Sequence, residues 1–340
     1  MRRAPLLISV CALLLAAVPA WGTALAAPRV ALILTSDLAD HGYLDNLRKG
    51  LAQAQKELGA TCDIIASTDD DAREALFLQA AKTGGYDLII TAEAATRTLL
   101  MNHAGNFRNV RFASIDGQVK APNIASVVFA DAQAAFLCGF AAATLAAQSV
   151  PGQPGVVGWV GSFDVTPQRT MLNAFRDGAR LAHADVRVLT AFTSSFTSRE
   201  AGHAAAQGLY AQGASVIMHA AGAAGLGVID AAREHKRLVI GMHQDQRPLA
   251  PKHVLLSQCK AADAVVLSLI KSVGDGAFPG GKTQEMNLEN HGVSITPLNP
   301  DIPLPLPQEL STRLQELRYE IQRSSIKLGP PPNPGRCDCL

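Results

Sequence analysis

A chain of 340 residues, 48% hydrophobic and 17% charged, carries core material for one large or two medium globular domains. Its formal charge of +1 includes Arg2 and Arg3 of a leader-like segment; without them 30 − 2 = 28 basic residues face 29 acidic ones, a net charge of −1. That balance excludes the strong basic field of a nucleic-acid binder.

The first 26 residues differ from the rest. Arg2 and Arg3 precede the apolar run Leu6 to Val18, and Ala24-Leu25-Ala26 places small residues at both specificity positions of a signal peptidase. Cleavage before Ala27 and release into the periplasm are therefore expected. The run is shorter than the ~20 residues of a membrane span, and Pro19 interrupts it. Cys11 follows Val10 inside the run instead of following a small residue, which argues against lipidation there. Five cysteines remain after it, an odd number that forbids full intramolecular pairing. Cys138 reads as a core residue, and Cys62 and Cys259 lie in strand-like segments. Cys337 and Cys339 lie in the proline-rich tail, residues 329–340, which is expected to be disordered.

From Arg29 the pattern is an apolar strand (VALILT), a helix ending near Leu58, a strand (CDIIAS), a helix, and strands YDLIIT and VRFASID. Successive βα units of this kind make parallel sheets, so the fold class is α/β. From Gly155 the order returns: VVGWVG, a helix through Leu181, VRVLTAF, a helix through Gln212, SVIMHA and RLVIGMH. Gly50 and Gly178 stand 178 − 50 = 128 apart, and Ser67 with Ser195 and Thr91 with His219 show the same shift. Two similar lobes are expected, each a parallel sheet flanked by helices, with a ligand cleft at the carboxyl ends of the strands. The expected division is residues 27–130 and 247–275 for lobe 1, residues 131–246 and 276–300 for lobe 2, and a connector with a terminal helix over 301–328. Ile124 to Ala130 leads into a helix from Asp131 to Gln148 and carries the first crossing. Thr283 to Thr296 reads as a closing hairpin or pair of strands. Leu310, Leu314, Leu317 and Ile321 form the buried stripe of a helix over Gln308 to Ile326.

The strand ends hold the polar and aromatic residues. They are "SDLADHGYLDN", "TAEAAT" and "SIDG" in the first half, and "GSFDVTPQ", "FTSSFTS", "HAAGAAGLG" and "MHQDQ" in the second. Tyr43 and Phe196 fall one in each half, placed to clamp a flat ligand or to cover the core. Asp116, followed by Gly117, offers a carboxylate to ring N–H groups or caps a turn. The run "STDDDAR" reads as a helix start with Asp69 as cap, and not as a metal site. "GAAGLG" has the wrong glycine spacing for a dinucleotide loop and suits close backbone approach to a ligand. No zinc-protease, nucleophile-elbow or P-loop signature is present, and the nine histidines show no ligand spacing, so neither a metal nor a cofactor is expected.

These segments resemble the basic membrane protein family of substrate-binding proteins for ABC transporters, over roughly Arg29 to Pro297. The similarity is carried by "FADAQAAFLCGFAAATLA", "VGWVGSFDVTPQRTMLNAFRDGAR", "SSFTSREAGHAAAQGLYAQGASVIMHAAGAAGLGVIDAARE", "VIGMHQDQ" and "LLSQCK". The resemblance implies a two-lobed type I periplasmic binding protein with three hinge crossings and a purine nucleoside or base held between the lobes. It further implies a monomer that performs no covalent chemistry and delivers its ligand to an ABC permease in the cytoplasmic membrane. By the same resemblance Tyr43 and Phe196 stack on the base, Asp116 recognises the purine edge, and Gly222 and Lys260 contact the sugar. His243 stands where nucleoside binders carry an aspartate that grips the ribose hydroxyls, and a neutral imidazole offers one donor and one acceptor only. The first loop also departs: His41 and Leu44 replace polar residues of the nucleoside-binder pattern, so a free purine base or a modified relative is also a candidate ligand. Asp245 is placed to pair with Lys260 or Arg247. The rival readings are a sensory receptor docking on a membrane kinase and a nucleoside-processing enzyme.

Overall fold

This computed structural model describes residues 27–149 and 154–328. The expected leader and the tail with Cys337 and Cys339 lie outside them. In chain order the strands are β1 (Arg29–Leu34), β2 (Thr61–Ala66), β3 (Leu88–Thr91), β4 (Phe112–Ile115), β5 (Ile124–Phe129), β6 (Val156–Gly161), β7 (Arg187–Phe192), β8 (Val216–Ala220), β9 (Leu238–His243), β10 (Val254–Lys260), β11 (Thr283–Met286) and β12 (Val293–Ile295). The helices are α1 (Tyr43–Leu58), α2 (Asp70–Lys82), α3 (Ala94–His103), α4 (Asp131–Ser149), α5 (Thr166–Ala182), α6 (Arg199–Ala211), α7 (Gly225–Glu234), α8 (Ala262–Gly274) and α9 (Leu310–Gln322). No helix of the described residues is long and apolar enough to cross a membrane.

Two sheets result, ordered β11-β5-β4-β3-β1-β2 and β12-β10-β9-β8-β6-β7. Central strands such as β1 and β8 are buried on both faces, which is why they read as unbroken apolar runs, whereas the edge strands β2 and β7 are half-exposed. Among the described residues, the pairings between these strands are all parallel except that of β10 with β12.

The internal repeat extends one strand further than the sequence pattern revealed. β5 continues the first unit and β10 the second, each running parallel to its predecessor with no α-helix between them. Two expected assignments are thereby corrected. Residues 254–260, expected in the first lobe, join the second sheet beside β9, because the short segment after Gln246 turns through Arg247–Leu249 and brings the chain back alongside β9. Residues 283–286, expected in the second lobe, form β11 and extend the first sheet beside β5, while β12 closes the second against β10, so Thr283 to Thr296 holds the pair of strands that was the alternative to a hairpin. The chain therefore passes between the sheets after β5, after β10 and after β11.

The helices that follow β5 and β10 change sides. α4 packs on α5 beside the second sheet, and α8 packs on α1 beside the first. The two repeat glycines make these contacts possible. A Cβ on Gly178 would stand 1.9 Å from the Phe136 carbonyl oxygen, and one on Gly50 would stand 2.6 Å from that of Asp263. Gly139 faces the Phe175 carbonyl oxygen at 1.9 Å in the same way, so α4 and α5 meet backbone to backbone. Gly178→Ala is expected to destabilise the chain by about 1–3 kcal/mol, because overpacking outweighs the gain in helix propensity of under about 1 kcal/mol. Equal or higher stability in urea unfolding would contradict this close approach. At the C-terminus α9 lies on α4 and buries Leu310, Leu314, Leu317 and Ile321, the stripe expected from their spacing.

Candidate functional site

Lys260, the last residue of β10, is 3% exposed, a burial that an ammonium tolerates only when paired. Its Nζ lies 3.0 Å from Asp116 Oδ2, just past β4, and 2.8 Å from Asp131 Oδ2, at the start of α4. The same Nζ sits 4.7 Å from the Phe129 ring centre and 5.2 Å from that of Tyr43, within cation–π range. Burial pulls the ammonium toward neutrality, but the two carboxylates outweigh it and hold its pKa above the ordinary value. One lysine thus joins the end of the first sheet, the first crossing and the second crossing.

Around it, Tyr43 is buried and its hydroxyl donates to the Ala92 carbonyl at 2.8 Å, which fixes the ring beside the end of β3. The His243 ring lies 5.3 Å from the Tyr43 ring at 52°. Burial, then the charge of Lys260 and the nearby His219, drives the His243 pKa well below its ordinary value, so the imidazole is neutral. Asp116 and His243 are repeat counterparts, 243 − 116 = 127 positions apart, and both adopt left-handed backbone, with φ of 65° and 70°. Such conformations in residues other than glycine are uncommon and concentrate at functional sites. Of the expected residues, Tyr43, Asp116, His243 and Lys260 therefore converge.

Phe196 and Gly222 form a second group. Phe196 is 56% exposed and its ring packs against Phe163 at 5.1 Å. Gly222, at φ 58°, lies beneath it: a Cβ there would stand 3.0 Å from the Phe196 carbonyl oxygen. Phe163 was not singled out by sequence, although it sits in the loop after β6 that is the counterpart of the loop carrying Tyr43. Asp245 pairs with Arg247 through Oδ2 and Nη2 at 2.5 Å, which settles the choice against Lys260. The His41 side chain is exposed, and its contribution is the backbone carbonyl described next. Asp69 caps α2, accepting from Ala72 N at 2.7 Å, as its place in the acidic run suggested.

Two neutral amides missed by sequence reading tie the halves together. Gln246, 2% exposed, accepts through Oε1 from Met242 N at 2.9 Å and from His219 Nε2 at 2.8 Å. Its Nε2 donates to the His41 carbonyl at 2.8 Å, across to the loop that precedes α1. Asn46, on α1, donates to the Lys260 carbonyl at 2.5 Å and to that of His243 at 3.4 Å. Burial lowers the His219 pKa to about 4, so its ring is neutral and Nε2 carries the proton that Gln246 accepts.

Asp131 was also missed, because an acid opening a helix reads as a dipole partner. Burial pushes its carboxyl from 3.8 up to about 6 against the pull of Lys260. The folded chain thus retains a proton that the unfolded chain releases, and this stabilising contribution, complete below pH 3.8, is lost as pH rises through about 6. Asp131→Asn is expected to flatten that part of the stability profile, measured by thermal unfolding at constant ionic strength. An unchanged slope between those pH values would contradict it.

Comparison with known proteins gives concordant matches. A family model described as "ABC transporter substrate-binding protein PnrA-like" matches residues 27–327. Basic membrane protein D of Borreliella burgdorferi is 26% identical over 310 residues, covering 89% of this chain and 85% of that protein. An uncharacterised lipoprotein of Pyrococcus horikoshii is 28% identical, covering 76% of this chain and 66% of its own length. Among solved structures, an ABC transporter solute-binding protein from Aeropyrum pernix K1 superposes with a TM-score of 0.82 at 21% identity, over 90% of this chain and 94% of that one. A solute-binding protein from Conexibacter woesei gives 0.71 at 22%, over 89% and 99%. The fold is that of type I periplasmic solute-binding proteins. A transcriptional activator of the comK gene from Bacillus halodurans shares it at 0.70 and 19% identity, over 87% and 98%, so the fold alone does not specify the task.

Proposed function

Since the chain belongs to the PnrA-like family of ABC transporter substrate-binding proteins, we propose that it is an exported, monomeric receptor that closes two lobes around a purine nucleoside or purine base and delivers it to a membrane permease. Lobe 1 in this reading is the first sheet with α1, α2, α3 and α8, and lobe 2 is the second sheet with α4 to α7. The observation that carries the reading is the buried Lys260 held between Asp116 and Asp131 where the strand ends and crossings meet. Lysine occupies Oδ2 of Asp116, leaving Oδ1 with no protein partner among the described residues, free to accept from a ligand N–H. The aromatic side chains supply the flat contacts, the Tyr43 ring from the first lobe and Phe196 with Phe163 from the second. A stacked base is worth about 1–3 kcal/mol per ring face by analogy with nucleic-acid platforms. His243, neutral and against Tyr43, offers a single donor and a single acceptor, and Gly222 lets backbone approach the ligand closely.

Lobe closure is a shift between populations, favoured only by contacts that a ligand makes better in the closed form. Gln246 and Asn46 already bridge the halves near the crossings, so they form the pivot about which the aromatic groups approach. The test is native mass spectrometry of the folded chain, freed of its leader and incubated with an equimolar mixture of purine nucleosides and bases. A one-to-one complex with a purine is expected. Free protein alone, or an equal response to pyrimidines, would remove the purine assignment.

A further inference from the structure

Within the purine reading above, on which this inference rests, the residue after Asp116 has a neighbour that neither the sequence pattern nor the converging cluster includes. Arg97, half-buried on the first turns of α3, lays its side chain over Gly117, the residue after Asp116. A Cβ on Gly117 would stand 2.3 Å from Arg97 Nη1, 2.6 Å from Cδ and 3.1 Å from Cζ. Gly117 is not in the left-handed region, so its lack of a side chain serves this contact and not a backbone requirement. Among the described residues the guanidinium has neither a hydrogen-bond nor an ion-pair partner, and it does not pair with Asp116. An unpartnered arginine over the residue that follows Asp116 supplies a donor next in chain to an acceptor at the end of β4.

We infer that Arg97 and Asp116 together read the edge of a six-membered lactam, with Arg97 donating to the ring carbonyl oxygen and Asp116 Oδ1 accepting from the adjacent ring N–H. Arginine has donors only and an ionised aspartate acceptors only, so the pair fixes the order of the two ligand groups. A 6-oxopurine, as base or nucleoside, presents that order: C6=O next to N1–H. A 6-aminopurine presents the reverse, an N–H₂ facing the guanidinium and a bare N1 facing the carboxylate, so both contacts become repulsive. Arg97 is thus a specificity residue, selecting hypoxanthine-like and guanine-like ligands over adenine-like ones.

The experiment compares inosine, hypoxanthine, adenosine and adenine by calorimetric titration of the wild-type chain, Arg97→Met and Gly117→Ala. Methionine keeps the aliphatic cover over Gly117, and Gly117→Ala displaces the guanidinium without removing its charge, so the two variants perturb one contact by different routes. The wild type is expected to favour the 6-oxo ligands by about tenfold or more, as sites built around hydrogen-bonded groups do. Each variant is expected to lose about tenfold in affinity for the 6-oxo ligands while changing by less than about threefold for the 6-amino ligands. Equal loss for both classes, or no loss in either variant, would overturn the role of Arg97 while leaving purine binding intact. A wild type that binds none of the four would instead remove the purine reading and this inference with it.

Discussion

Lys260→Met is expected to destabilise the folded chain by about 3–5 kcal/mol, chiefly the cost of leaving the buried Asp131 carboxylate without its cation. The size follows from the geometry: Lys260 is the ion-pair partner of both Asp116 and Asp131, and methionine fills its stem volume without its charge. Without the ammonium, the buried Asp131 carboxyl must take up a proton or remain charged in a dry site. The penalty should therefore be largest above pH 6 and relax in acid, where the carboxyl is neutral. Urea unfolding at two pH values checks this, and the double variant with Asp131→Asn should recover part of the loss. A penalty below about 1 kcal/mol at neutral pH would mean that the pair is solvated and that Lys260 does not anchor the crossings.

Asp116→Ala is the second large effect, expected on binding more than on folding. Its carboxylate is partly exposed and Lys260 keeps Asp131, so the fold retains a compensated lysine. Alanine at φ 65° adds strain of about 1 kcal/mol, which a stability measurement separates from the binding loss. Purine affinity should fall by about tenfold or more, equal to about 1.4 kcal/mol or more. Phe196→Ala, at an exposed ring, is expected to weaken binding to a similar extent without lowering stability. Retained affinity in both variants would place the ligand elsewhere.

Most of the fold was legible from periodicity. Strand runs, helix ends and the stripe Leu310, Leu314, Leu317 and Ile321 follow from patterns that burial imposes on any sheet or helix. Gly50 and Gly178 marked the repeat before their purpose, the close approach of α1 to α8 and of α5 to α4, was visible. The pairing of β10 was not legible. Neither β5 nor β10 is preceded by an α-helix, so the βα rhythm that reveals the other strands is silent there. Yet "NIASVVFA" and "HVLLSQCK" occupy equivalent places in the two units, and extending the repeat to them would have found it.

The site divides in the same way. Tyr43, Asp116 and His243 stood out as aromatic or polar residues at strand ends, Lys260 stood out through the family resemblance, and the structure brings the four together. Asp131, Asn46 and Gln246 did not. A helix-opening acid has an ordinary explanation, and a neutral amide carries no charge or periodicity signal, so only the fold shows that these residues bridge the crossings. The segment "VIGMHQDQ" divides its labour accordingly. His243 faces Tyr43, Asp245 binds Arg247 on the surface, and Gln246 turns inward to hold His219 and the loop before α1.

The most direct test is a calorimetric titration of the chain from Ala27 onward, refolded to remove any copurified ligand, with guanosine, inosine, adenosine, guanine, hypoxanthine, adenine and uric acid. The account predicts saturable one-to-one binding of at least one purine by the wild type and its loss in Asp116→Ala. Binding of a nucleoside over its base would show that His243 still admits ribose, and binding of the base alone would show that it does not. No heat from any purine, in a chain that still unfolds cooperatively, would contradict the assignment of this cleft to purines.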